Sequence, residues 1–127
     1  MTVMKELHHY QFALAAPETE FSLPFVKGMA NRMAVSFHKY GCLANPEART
    51  IDYLASLQQR LNMYQETGNT EYLIDAANFA MIEYMYPKHV TAHFQPTDSD
   101  GSPGRTRTDG SVDAERNAKV VSTVVDL

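Results

Sequence analysis

Apolar residues recur at helical spacing in three stretches of the chain. The first holds Phe25, Met29, Met33, Phe37 and Tyr40, a stripe that predicts an amphipathic helix over about 23–40. Ser22 is a good N-cap, Pro24 suits the first turn, and Gly41 supplies a stop. Lys27, Asn31 and His38 lie on a second, polar face, with Arg32, Ser36 and Lys39 nearby. The second stripe is Ile51, Leu54, Leu57, Leu61 and Tyr64. Asn45, Pro46 and Glu47 give it a cap, a first-position proline and a first-turn acid, so the helix is predicted over about 46–66. Asp52, Gln59, Arg60 and Asn62 are assigned to its solvated side, and Gly68 ends it. The third helix is predicted over about 70–86, capped by Asn69 or Thr70 and closed by Pro87. The very short turn before it makes the second and third helices an antiparallel hairpin.

The third helix differs from the other two. Leu73, Ile74, Ala76, Ala77, Phe79, Ala80, Met81, Tyr84 and Met85 cover most of its circumference. Such a helix belongs inside a fold or an assembly, and its apolar surface predicts a homodimer or larger homo-oligomer. One polar stripe interrupts it: Glu71, Asp75 and Asn78, at i, i+4 and i+7, project from a single face. Carboxylates on such a surface are costly without a partner. Glu71 and Asp75 are therefore candidate ligands for a hydrated Mg2+, which prefers oxygen donors, and Asn78 can hold a ligand or orient a water. The competing reading makes the stripe a plain solvated face. Glu83 either widens that face or pairs with a base from another helix.

Outside these helices the pattern fades. Residues 1–21 carry no clear period and predict a short helix or an extended arm. Residues 96–111 are Pro, Gly, Ser, Thr and Asp with almost no apolar content, the composition of a loop or flexible linker. The last segment regains valines, and its AERNAK run favours a terminal helix over an edge strand. The expected fold is all-α: three main helices in an antiparallel bundle, with an N-terminal arm and a loosely ordered C-terminal extension. One helical domain spans 1–95, and a linker with a C-terminal segment spans 96–127.

Composition narrows the function. The 127 residues suffice for one domain with a core. A formal net charge of −4 argues against general nucleic-acid binding. No apolar run approaches the roughly 20 residues that cross a bilayer, and charged and polar residues break the N-terminal stretch where a secretory signal would need its apolar region. The single Cys42 excludes an internal disulfide and fits a reducing cytoplasm. His89 and His93 would neighbour each other on a helix, but Val90, Thr91 and Ala92 lie where a metalloprotease needs His-Glu-x-x-His, so surface or capping roles are expected. The TDSDGSPGR run matches neither a calcium loop nor a phosphate-binding loop, although Arg105 and Arg107 are available to an anion or partner. No nucleophile signature occurs.

FVKGMANRMAVSFHKYG followed by SLQQRLNMYQETGNTEYLIDAANFAMIEYM resembles small helical proteins encoded by bacteriophages and prophages. The same stretch is similar, more distantly, to MazG-like all-α nucleoside triphosphate pyrophosphohydrolases. In those, one helix carries an ExxE pair and a later one an acidic motif ending in Asp, often with Asn three residues on. Asp75 and Asn78 match the second motif, and Glu71 corresponds to the first of its preceding acids. Tyr72 stands where the second acid would be, and no acid lies between Phe25 and Tyr40, where ExxE belongs. The resemblance implies a nucleotide or nucleotide-like ligand, with candidate contacts Glu71, Asp75, Asn78, Asn31 and His38, and Mg2+ held by Glu71 and Asp75. Lacking the ExxE acids, the scaffold is expected to bind more readily than to catalyse. Two alternatives stay open: an interaction protein that inhibits a host anti-phage defence factor, and a true divergent magnesium-dependent pyrophosphohydrolase. Either way a cytoplasmic protein is expected.

Overall fold

The computed structural model describes residues 16–97 and 103–113. They form three α-helices, α1 (Leu23–Tyr40), α2 (Tyr53–Thr67) and α3 (Glu71–Met85). Two short 3-10 turns (Glu18–Glu20 and Pro46–Ala48) and an antiparallel pair, β1 (Arg105–Thr106) with β2 (Val112–Asp113), complete the described elements. The fold is all-α, as the three stripes predict.

Local chemistry sets each boundary. The Ser22 hydroxyl accepts from the Phe25 amide at 3.1 Å and opens α1. Asn69 opens α3 by accepting from the Glu71 amide at 3.1 Å, and Tyr86 closes it just before Pro87. Gly68 ends α2 with φ of 74°, a left-handed conformation open to glycine at no steric cost, which allows the tight return into α3.

The second helix is shorter than its sequence pattern suggests. Asn45 caps only a 3-10 turn, and α2 starts at Tyr53 instead of Pro46. Thr50 and Ile51 are β-branched and resist helix. Asp52 then provides a competing cap, accepting from the Ala55 amide at 3.0 Å. The connection from α1 to α2 is clamped instead of helical. Arg49 donates to the Leu43 carbonyl and lies 4.2 Å over the Tyr86 ring. Lys88 donates to the Ile51 carbonyl and lies 5.0 Å from the Tyr53 ring centre.

α3 is the middle element, packed more extensively against α2 than against α1. The contact with α1 is close at Gly28, where an added Cβ would sit 2.7 Å from the Ile74 Cδ1. Tyr53, Ala76 and Ile82 are the buried apolar residues of the described region, and the Tyr53 and Phe79 rings stack at 6.3 Å. The phase of α2 differs from the predicted stripe. Ile51, Leu54 and Leu61 are exposed, whereas Tyr53 is buried and Leu57, Arg60 and Tyr64 are half-buried along the same line. The Tyr53–Phe79 stack and the reach of Arg60 to α3 set that rotation. On α1, Phe25, Met29 and Met33 are half-buried, but Phe37 and Tyr40 run past the end of the packed surface and are exposed.

Part of the expected linker is structured. Arg107 and Ser111 close a turn in which the Asp109 carboxylate accepts from the Ser111 amide at 2.9 Å and its hydroxyl at 2.7 Å. Asp113 bridges Arg105 and Arg107 across the resulting hairpin. Asx-type turn chemistry at Asp109, with Gly110 beside it, accounts for this order. The predicted terminal helix instead begins as strand at Val112–Asp113, and its remainder lies outside the described residues, as does the arm over 1–15. Among the described residues no helix is long and apolar enough to cross a membrane.

Candidate ligand-binding site

Asp75 sits in the second turn of α3, on the side where α1 and α2 both approach. Its side chain is only 15% exposed. A carboxylate so placed needs a cation, and two arginines supply one from each side. The Arg32 Nε of α1 lies 3.3 Å from one oxygen, and the Arg60 Nε of α2 lies 3.5 Å from the other. Glu71, one turn earlier and exposed, approaches the same Arg32 Nε at 3.7 Å. One carboxylate thus ties all three helices together. Arg60 also lies 5.2 Å from the Phe79 ring centre, so its half-buried stem and planar head fill the α2–α3 seam.

Beside this junction the helices enclose a cavity of about 240 Å³. Among the described residues, Arg32, Lys39 and Arg60 line it with a single acid, Asp75. Three cations against one carboxylate leave a positive excess in a chain whose net charge is −4. Val35, Tyr40 and Ile51, each roughly half-exposed or more, form an apolar part of its lining. The deep wall carries Asn78 and Tyr53, which are 5% and 2% exposed. Asn78 Nδ2 donates to the Met29 carbonyl at 3.2 Å, which sets the amide's orientation and leaves Oδ1 without a donor. Among the described residues the Tyr53 hydroxyl also has no hydrogen-bond partner. Burial pushes its pKa up above the ordinary tyrosine value; nearby Arg49 opposes that and Glu83 adds to it. The phenol is therefore neutral at physiological pH.

The structure brings some of the predicted residues together and separates others. Asp75 and Asn78 both line the cavity; Glu71 stays outside it and contributes through Arg32. Asn31 and His38 are exposed on α1 and lie outside the cavity lining, where Arg32, Ser36 and Lys39 stand instead. Glu83 accepts from the Lys88 amide at 2.8 Å, fastening the chain after α3. His89 and His93 lie beyond the helix in exposed backbone, and each bonds locally to Thr91 through its Nδ1.

The expected partner of Glu71 and Asp75 was magnesium, and the residues present do not form a donor set for it. Both oxygens of Asp75 face guanidinium groups, and Glu71 shares one of those groups. Among the described residues no cluster of three or more His, Cys, Asp or Glu side chains has metal-holding geometry. The arrangement suits an anion with a polar body better than a cation.

No family model, curated protein or solved structure matches the chain.

Arg60, Tyr53 and Lys39 are polar lining residues that the sequence pattern assigned elsewhere or passed over. A signal for Arg60 exists: it stands seven positions after Tyr53 and three after Leu57, on one helix face. A buried carboxylate on the neighbouring helix makes an arginine on that face the natural counter-ion.

Proposed function

We propose that this chain is a phage-type accessory protein of the cytoplasm that holds a nucleotide or nucleotide-like anion in the α1–α3 cavity without hydrolysing it. The observation that carries this reading is the cavity itself, where Arg32, Lys39 and Arg60 outnumber Asp75 beside aromatic Tyr40 and Phe79. Guanidinium forks and an ammonium suit phosphate oxygens, and ring faces suit a base. A volume of about 240 Å³ falls below the roughly 300–1,000 Å³ of sites that enclose drug-sized ligands. Part of the ligand therefore projects into solvent, and a nucleoside monophosphate fits better than a triphosphate. The resemblance to pyrophosphohydrolases supports a nucleotide, while the arginine-bound Asp75 and the missing ExxE acids speak against magnesium-assisted hydrolysis.

A direct test incubates the protein with magnesium and a panel of nucleotides, cyclic signalling nucleotides included, following turnover and retention together. Stoichiometric retention without pyrophosphate release is the expected result. Pyrophosphate release that Asp75→Ala abolishes would establish the divergent enzyme instead.

A second reading, a contact surface for a host protein or another copy of the chain, is favoured by exposed apolar side chains. Phe37, Tyr40 and Tyr84 are 54%, 68% and 75% exposed, and large exposed apolar side chains are the material of interaction surfaces. Light scattering after size exclusion reports the homo-oligomer, and retention of no nucleotide at all would move the protein into this class.

A further inference from the structure

Among the described residues, two buried side-chain polar atoms lack a hydrogen-bond partner, and both belong to side chains that line the same cavity: Asn78 Oδ1 and the Tyr53 hydroxyl. Most buried polar groups in native proteins are satisfied, so an unsatisfied one calls for an explanation. Two around one basic cavity share a common one. Resting on the anion-binding reading above, we infer that the ligand's buried portion is an uncharged N–H-bearing heterocycle, the base of a nucleotide, read by Asn78 and Tyr53, while its anionic portion meets Arg32, Lys39 and Arg60.

The chemistry of the two groups carries this assignment. With one Nδ2 hydrogen committed to the Met29 carbonyl at 3.2 Å, the unanswered atom of Asn78 is its Oδ1 acceptor, which calls for a donor on the ligand. The neutral Tyr53 hydroxyl both donates and accepts, matching the alternating donors and acceptors along a base edge. A cationic donor is disfavoured beside three cations, an inorganic anion has little to donate to Asn78 Oδ1, and a base adds the flat apolar faces that a sugar lacks. Phe79, stacked on Tyr53 at 6.3 Å, gives the base an apolar neighbour in the same wall. Both polar atoms are closed to solvent, so the base displaces a neighbouring side chain as it enters.

The test is equilibrium binding to the full chain by calorimetry, using four nucleoside 5′-monophosphates, ribose 5-phosphate and inorganic phosphate. At least one nucleotide is expected to bind ten times more tightly than ribose 5-phosphate. Tyr53→Phe and Asn78→Leu should each weaken that nucleotide by a far larger factor than they weaken ribose 5-phosphate. Tyr53→Phe removes a hydroxyl that bonds to none of the described residues, so its melting temperature should not fall, which separates recognition from a structural role. Equal binding of nucleotide and ribose 5-phosphate, or variants that bind nucleotide like the parent, would overturn the inference and leave the anion site standing. No binding by any probe would overturn both.

Discussion

The chain builds the same motif twice, an aspartate between two arginines, with different consequences. Asp113 bridges Arg105 at 3.2 Å and Arg107 at 3.1 Å, with its side chain 28% exposed and the arginines 78% and 62% exposed. Asp75 is 15% exposed and holds Arg32 and Arg60 at slightly longer range, 3.3 and 3.5 Å. Distance alone would rank the hairpin first. Environment reverses the order: water and salt screen the exposed pair, whereas the α3 carboxylate has lost its hydration and relies on its arginines. The hairpin motif decorates a turn. The helical one joins three elements beside a cavity with unsatisfied polar groups.

The largest break in that comparison is Asp75→Ala. It is expected to cost about 2 kcal/mol in denaturant unfolding, allowing for the half-exposed Arg32, and to lower nucleotide retention by loosening both arginines. Gly28→Leu comes next. Its side chain collides with Ile74, where a Cβ alone would already sit at 2.7 Å, and should cost about 1–3 kcal/mol by overpacking. Because it pushes α1 from α3, a double-mutant cycle between Arg32 and Asp75 should lose its coupling in that background. Asp113→Ala is expected to change global stability by less than about 0.5 kcal/mol. Equal costs for Asp75→Ala and Asp113→Ala would contradict the ranking by environment.

The smallest effects are in pH. Hydrogen bonds from the Ser111 hydroxyl and amide hold the Asp109 carboxyl below the usual aspartate value of 3.8. A lowered folded value stabilises the turn above the unfolded value and loses that support as pH falls through the folded one. The Ser111 amide resonance should therefore titrate below pH 3.8. Tyr53 behaves in the opposite sense. Its raised value favours the neutral phenol, so its contribution is present below pH 10.0 and lost as pH climbs past the folded value. Alkaline unfolding should be milder in Tyr53→Phe than in the parent.

Much of the frame was legible in the sequence, and the misses have physical causes. The α1 boundaries follow from Ser22, Pro24 and Gly41, whose cap and stop chemistry is local. The start of α2 did not, because two caps compete and the β-branched pair between them decides for Asp52. The polar stripe of α3 was visible, and Asp75 and Asn78 do line the cavity. Its partners were not, since an arginine on a helix face reads as solvated until the facing helix is known to carry a carboxylate. The hairpin at 103–113 was hidden for a different reason. Its stability rests on one Asp-Gly-Ser turn and an exposed ion-pair bridge, which leave no apolar period to detect.

Residue-resolved NMR during a nucleoside monophosphate titration tests the central claim most directly, because it puts the two arginine pairs in competition within one molecule. Saturable shifts at the Arg32 and Arg60 side chains and at Asn78 and Tyr53, with Arg105 and Arg107 unmoved, are the predicted result. Shifts confined to the hairpin arginines, or none at millimolar nucleotide, would contradict it.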